Sequence, residues 1–151
     1  MSELSEKCEL CSAIGGELIW ESALCRVVLI TDAKYPGFCR VILQRHVSEM
    51  SDLPEDERNQ LMHVVFAVEV VLRKLLNPDK INLASLGNMT PHIHWHVIPR
   101  WRSDQCFPNP IWAEPCRRSN MSGIYIESCR LQEELITLLG KPTTTLWERP
   151  S

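Results

Sequence analysis

The sequence has no long hydrophobic run, no internal repeat and no glycine- or serine-rich linker. Its best apolar stretch, Val64 to Leu72, is interrupted by Glu69 and falls far short of the roughly 20 residues that span a bilayer. Neither charge dominates, because 16 Lys and Arg residues face 19 Asp and Glu residues for a net charge of -3. These absences argue against a membrane protein, a low-complexity chain or a protein with a stable nucleic-acid partner.

Cysteine, in contrast, is abundant, with 7 residues in 151. The first ten residues, MSELSEKCEL, contain acids and lack the apolar region of a secretory signal. We therefore expect a cytoplasmic setting in which most of these cysteines are free thiols. Only Cys8 and Cys11 form a C-x-x-C pair, which is compatible with two ordinary thiols or with half of a metal site. A thioredoxin-like motif would need a helix after the pair, and Gly15 and Gly16 follow too soon.

Hydrophobic patterning predicts one domain of the α+β class with an antiparallel sheet. Strands are predicted over 18–20, 25–30, 40–44, 81–86 and 93–99. A long helix is predicted to begin near Pro54, with Ser51 or Asp52 as its cap, and to end at Asn77. After Trp101, the prolines Pro108, Pro110 and Pro115 predict an irregular arm, followed by a second helix over 127–139.

Three of the five histidines, His92, His94 and His96, recur at two-residue spacing. Residues two apart on a strand share a face, so the three imidazoles are predicted on one face and apolar residues on the other. Such repetition is difficult to explain by packing and leaves a metal site or a phosphate-handling site. A neutral imidazole is a nucleophile and a neighbouring imidazolium is a donor, so these residues suit phosphoryl chemistry without a metal.

The run PHIHWHVIPR, residues 91–100, resembles the signature of the histidine triad family of nucleotide hydrolases and transferases. That family's N-terminal part is also similar to this chain upstream of the run, where a predicted strand pair is followed by His46. The similar residues of the strand pair are LITD (29–32), PG (36–37) and VIL (41–43). The resemblance extends over about residues 8–104. The residues from Pro99 to Phe107 further resemble the branch that cleaves diadenosine polyphosphates.

The resemblance implies an α+β, histidine-triad-like fold. This fold has an antiparallel five-stranded sheet, one long helix and a C-terminal helix, with the sheet continued across a homodimer. It places the histidine triad domain, with its N-terminal C-x-x-C segment, in residues 1–105, and a C-terminal arm and helix in residues 106–151. The expected activity is hydrolysis or transfer at the α-phosphate of nucleoside phosphoramidates, phosphate esters or dinucleoside polyphosphates.

The resemblance also assigns residue roles. His94 would be the nucleophile that forms a nucleotidyl-histidine, and His96 would bind the phosphate and assist the leaving group. Asp32 stands where the family has a polar ribose contact, although a simple turn role is equally compatible with its position.

The loop before the triad departs from the family pattern. Relatives have an amide followed by a hydroxyl that bind phosphate oxygens, whereas this chain has Asn88 followed by Met89. Asn88 is expected to bind phosphate, and Thr90 is a possible replacement for the hydroxyl. This change keeps open an alternative function, a nucleotide-binding regulatory protein with low turnover.

Some members of the family bind zinc, and the resemblance assigns Cys8, Cys11, His46 and His92 as its ligands here. Such a Cys₂His₂ site is closed and therefore structural, and it leaves His94 and His96 free. A second alternative is a metal-binding module that also uses His94 and His96. His63, on the predicted long helix, is expected to be a surface or packing residue.

Overall fold

The structure, a computed structural model, describes residues 7–143 and contains five strands and three α-helices within that range. The elements in chain order are α1 (Glu9–Ser12), β1 (Glu17–Glu21), β2 (Cys25–Leu29), β3 (Cys39–Leu43), a 3₁₀ turn (Met50–Asp52), α2 (Glu55–Leu76), β4 (Lys80–Ala84), β5 (His94–Arg100) and α3 (Ser128–Leu139). Every predicted strand and both predicted helices are present. No helix in this range is long and apolar enough to cross a membrane.

The strands form one sheet in the order β1-β2-β3-β5-β4, and each neighbouring pair is antiparallel. This arrangement confirms the α+β class with an antiparallel five-stranded sheet. The register between β3 and β5 pairs Ile42 with His94 and Arg40 with His96. Because directly opposed residues share a face, these four side chains lie on the same side of the sheet.

The opposite face packs against α2 and α3 to form the main hydrophobic core. The helix α2 presents Leu61, Val65 and Val68 to this core at three- and four-residue spacing, as its sequence pattern predicts. The helix ends at Asn77, whose left-handed conformation is a common way to terminate a helix.

The predicted cap of α2 is wrong. Ser51 and Asp52 belong to the 3₁₀ turn, and Pro54 occupies the N-cap position without a side-chain capping bond. The backbone amides of Asp52 and Leu53 donate to Glu49 and Met50, so this segment closes its own turn before the helix begins.

The histidine-bearing face of the sheet is covered at two places. Near the N-terminus, Cys8 and Leu10 pack on Val28 and Ile42. At the other end, Ile111 of the C-terminal arm packs against a cluster of Tyr35, Phe38 and Ile98. The predicted division at residue 105 stays a prediction, and residues 144–151 of the arm lie outside the described range.

Candidate active site

His94 is the first residue of β5, and its ring is held by a backbone hydrogen bond. Its Nδ1 lies 2.6 Å from the carbonyl oxygen of His92. A carbonyl can only accept, so the Nδ1 of His94 carries the proton. In the neutral ring the other nitrogen, Nε2, therefore keeps its lone pair, which is the atom required of a nucleophile.

His96 lies beside His94 on the same face, with 4.9 Å between the two ring centroids. The rings of Phe38 and Trp112 also contact it, at centroid distances of 5.7 Å and 5.0 Å. Burial, followed by the neighbouring His94 and Arg40, lowers the pKa of His96 to about 4. His96 is thus neutral at pH 7, and its buried Nδ1 has no hydrogen-bond partner among the described residues.

The two histidines open onto a cavity of about 540 Å³, a size typical of small-molecule sites. Its described lining consists of Glu9, Leu10, Gly15, Arg40, Leu86, Gly87, Asn88, Met89, Thr90, His94, His96 and Trp112. The loop before the triad therefore reaches the same cavity as the histidines.

Of the three further residues predicted to bind substrate, two line the cavity and one does not. Asn88 and Thr90 line the cavity, whereas Asp32 is not among its lining residues. The Asp32 carboxylate accepts a hydrogen bond from the backbone amide of Lys34 at 2.9 Å, which is the geometry of a turn residue. Its contact with a ribose stays a prediction.

The four predicted metal ligands, Cys8, Cys11, His46 and His92, lie together in the fold, and their ligand atoms are all within 4.8 Å of one another. The Nδ1 of His92 lies 3.5 Å and 3.4 Å from the two thiol sulfurs, and the Nδ1 of His46 lies 3.4 Å from that of Cys11. The Nε2 of His92 donates to the carbonyl of Leu43 at 2.7 Å, so Nδ1 is left as the free ligand atom.

These distances fit a tetrahedral zinc ion. Zinc–sulfur bonds of about 2.3 Å and zinc–nitrogen bonds of about 2.1 Å imply about 3.5 Å between sulfur and nitrogen at a tetrahedral angle. Burial and the adjacent Cys8 raise the pKa of the Cys11 thiol to about 11, so a nearby divalent cation is needed to hold it as a thiolate at neutral pH. The cluster is therefore able to hold a metal, with all four positions filled by protein.

Arg40 and Trp112 are among the cavity residues that the sequence pattern did not predict. Arg40 stands in a strand that otherwise reads as apolar, and this interruption of the pattern was an available signal. Trp112 lies in the arm, 53% exposed, and no local pattern connects it with His96. His63 is exposed on α2, in agreement with its expected surface role.

The residues after the triad anchor the arm over the sheet. Arg100 donates to the Asp104 carboxylate at 2.7 Å and 3.0 Å and to the amide oxygen of Asn82 at 2.8 Å. Asp104 in turn accepts from the backbone amides of Cys106 and Phe107. This buried network leads the chain towards Trp112, at the edge of the cavity.

Comparison with known proteins gives a family and a range of relatives. The family model described as the HIT domain matches residues 12–103. The chain is 25% identical over 119 residues to the asymmetrical bis(5'-nucleosyl)-tetraphosphatase of Schizosaccharomyces pombe, which covers 75% of this chain and 65% of that protein. It is 32% identical over 78 residues to an AP-4-A phosphorylase of Mycobacterium tuberculosis, and this match covers 48% of this chain and 40% of that protein. The chain thus spans less than two thirds of the length of these relatives.

Solved structures show the same fold. A histidine triad protein from Marinobacter aquaeolei has a TM-score of 0.68 and 28% identity, over 84% of this chain and 93% of that one. A zinc-bound histidine triad family protein from Mycobacterium smegmatis has a TM-score of 0.62 and 21% identity, over 89% and 96%. Because the family model matches more than half of its residues, the chain belongs to the HIT domain family.

Proposed function

We propose that this protein is a nucleotide hydrolase or transferase that acts at an α-phosphate through a nucleotidyl-histidine on His94. The observation that carries the proposal is the 2.6 Å bond from His94 Nδ1 to the His92 carbonyl, which makes Nε2 the nitrogen with the lone pair in the neutral ring, on a side chain that lines the cavity. Relatives named as a tetraphosphatase and a phosphorylase of dinucleoside polyphosphates support the class of reaction.

In the proposed first step, Nε2 of His94 attacks the α-phosphorus, a phosphorus–nitrogen bond forms, and the bond to the leaving group breaks. The ring becomes positively charged, and the His92 carbonyl, which already accepts its Nδ1–H, stabilises that charge. In the second step water attacks the same phosphorus, releases the nucleoside monophosphate and regenerates His94. In a transfer reaction, another acceptor takes the place of water in this step.

His96 and the loop are proposed to bind the phosphate group. His96 is neutral in the free protein and adjoins His94, so the negative charge of an arriving α-phosphate favours its protonation and allows it to donate to the leaving group. Asn88 and Thr90 are proposed to donate to the phosphate oxygens, and Asp32 to contact the ribose.

Trapping the covalent intermediate tests the proposal. Rapid quench with a dinucleoside polyphosphate carrying a labelled α-phosphate should leave label on His94, stable in base and labile in acid, as expected of a phosphoramidate. A His94→Asn variant should bind nucleotide and acquire no label. Label on another residue would refute the assignment of His94.

The runner-up function is nucleotide binding with negligible turnover, and the loop supplies its argument. Met89 is 97% exposed and brings no hydroxyl to the cavity. The quench experiment separates the two functions, because a regulatory binder should give no burst of labelled protein within the time of binding.

We further propose that the cluster of Cys8, Cys11, His46 and His92 holds a structural zinc ion. The proposal is supported by its burial, its distances and the hydrogen bond that directs His92 Nδ1 towards the thiols. Use of His94 or His96 as additional ligands is less favourable, because the four residues of the cluster already complete a tetrahedral set and both of these histidines line the cavity. Metal analysis of the purified protein should give one equivalent of zinc per chain.

The assembly and setting are also proposals. The strand β4 is an edge of the sheet, and pairing of edge strands in a homodimer would cover it. Light scattering should then give about twice the chain mass of 17.4 kDa, and a monomer at micromolar concentration would contradict the proposal. None of the seven cysteines forms a disulfide bond, which supports a reducing, cytoplasmic setting.

A further inference from the structure

Three arginines lie on the histidine-bearing face of the sheet, and two of them are fully engaged by the protein. Arg26 donates to the carbonyls of Leu10, Ala13 and Ile14 and to the side chain of Gln44. Arg100 has its ion pair with Asp104 and further bonds to Asn82 and Asn109. Both side chains are buried, and both have a structural role.

Arg40 differs from these two because it has no comparable partners. It is half-buried, lines the cavity, and is the only lysine or arginine among the described residues that do so. Its Nε is shielded from solvent without a hydrogen-bond partner, and its side chain makes no hydrogen bond or ion pair within residues 7–143. Its guanidinium lies over the ring of Phe38, 5.6 Å from the centroid.

The position of Arg40 relates it to the reacting group. It is the direct cross-strand neighbour of His96, and such pairs have Cα atoms about 4.5–5.5 Å apart. The strand β5 carries His94, and the loop before it carries Asn88 and Thr90. Arg40, in contrast, lines the cavity from β3. A substrate whose α-phosphate is at His94 would thus present its other groups to Arg40.

Burial lowers the pKa of Arg40, and the charge of Glu9, which also lines the cavity, opposes this shift without a direct ion pair between the two side chains in the described residues. A partly desolvated guanidinium without a directly paired anion is unfavourable, and an anionic ligand would relieve that cost. Its planar fork of N–H donors matches the oxygens of phosphate groups. The charge of Arg40 is therefore available to a ligand.

We propose that Arg40 binds the anionic oxygens that a substrate carries beyond its α-phosphate, and so selects substrates by the charge of the leaving group. This inference rests on the proposed function, because it takes His94 and His96 as the site of the α-phosphate. It adds a specificity-determining residue to the nucleotide site.

Two substrates with the same adenylyl group and different leaving groups test this role. Diadenosine tetraphosphate releases an anionic polyphosphate, whereas adenosine phosphoramidate releases ammonia. Arg40→Met should lower kcat/KM for the tetraphosphate about 10- to 100-fold more than for the phosphoramidate, the range for one lost charge-assisted hydrogen bond. Arg40→Lys keeps the charge and should recover part of the loss.

Arg73→Met, a change of an exposed arginine on α2, is the matched control and should alter neither substrate. An equal loss on both substrates in a folded Arg40→Met protein would overturn the proposal, since it would indicate a general structural role. A loss of kcat/KM that differs between adenine and guanine substrates, and does not depend on the leaving group, would overturn the proposal in favour of base recognition. If Arg40→Met does not fold, Arg40→Gln provides the same comparison.

Binding without turnover keeps this inference separate from the proposed function. Calorimetry with inorganic tripolyphosphate on the His94→Asn protein should show affinity about 10- to 100-fold weaker when Arg40→Met is added. Adenosine should bind both proteins within about twofold. Equal tripolyphosphate affinity in the two proteins would overturn the role of Arg40. Absence of turnover in the unaltered protein would instead refute the proposed function alone.

Discussion

Two histidines separated by one residue, His92 and His94, illustrate how a single hydrogen bond directs an imidazole towards different chemistry. His92 donates through Nε2 to the Leu43 carbonyl and turns Nδ1 towards two thiols. His94 donates through Nδ1 to the His92 carbonyl and leaves Nε2 for the cavity. In each case a backbone carbonyl selects the tautomer, and the tautomer decides which nitrogen is available for a metal or a phosphorus atom.

Replacing His94 and His92 in turn should separate the chemical role of the first from the metal-binding role of the second. His94→Ala should lower turnover by at least about 10⁴-fold, because no other group in the cavity is placed to form the covalent intermediate. Its metal content and thermal stability should remain those of the unaltered protein. His92→Ala should instead lose bound metal.

Steady-state kinetics and metal analysis on the same preparations check this contrast. Wild-type turnover by His94→Ala would remove His94 as the nucleophile. Full metal content in His92→Ala, with the Cys8 and Cys11 thiols protected from alkylation, would remove His92 as a ligand.

His96 should have an intermediate effect, because its proposed role is to assist the leaving group without forming the covalent bond. His96→Ala is expected to lower kcat by about 10²–10⁴-fold, the usual range for a general acid or base. The loss should be smaller for substrates with a good leaving group, which need less protonation. A loss independent of the leaving group would restrict His96 to phosphate binding.

Removal of the metal should affect stability more than chemistry. If zinc is bound only by the folded protein, Cys11→Ser should lower the free energy of unfolding by about 4 kcal/mol when free zinc exceeds the dissociation constant about 1,000-fold. Thermal unfolding should then shift by about 10 °C. Cys129→Ser, which changes an exposed thiol on α3, is the matched control and should shift neither stability nor metal content.

The smallest expected effect is a pH dependence of stability that comes from His96. Burial lowers the pKa of His96 from the usual histidine value of 6.5 to about 4, so in the pH window between these two values the unfolded chain binds a proton that the folded chain does not. The free energy of unfolding should therefore fall as pH decreases through this window, and His96 should contribute no slope above it.

Urea unfolding between about pH 7 and about pH 5 measures this slope. His96→Asn should reduce the slope, whereas His63→Asn, at an exposed histidine, should leave it unchanged. The metal cluster is common to all three proteins and cancels in the comparison. An identical slope for His96→Asn and the unaltered protein would place the His96 pKa close to its usual value.

Local sequence patterns were sufficient for the elements of the fold. Short β-branched runs bounded by turn residues predicted β2 and β3, and apolar spacing of three and four predicted α2, because the first composition favours strands and the second marks the helix face that meets the core. The predicted cap of α2 was wrong because the choice between a 3₁₀ turn and a helix start depends on tertiary packing, here on the burial of Leu53 in the core. Propensity alone does not contain that information.

The sequence by itself determined the antiparallel α+β fold, the strand that carries His94 and His96, and, through family resemblance, the four residues of the candidate metal cluster. Only the tertiary structure decided which nitrogen of His92 and of His94 is free, because that depends on carbonyls of Leu43 and His92 at fixed positions in the fold. It also decided that Arg26 is hydrogen-bonded to the N-terminal segment while the Nε of Arg40 has no hydrogen-bond partner among residues 7–143. Both facts depend on contacts between residues distant along the chain, which local periodicity does not encode.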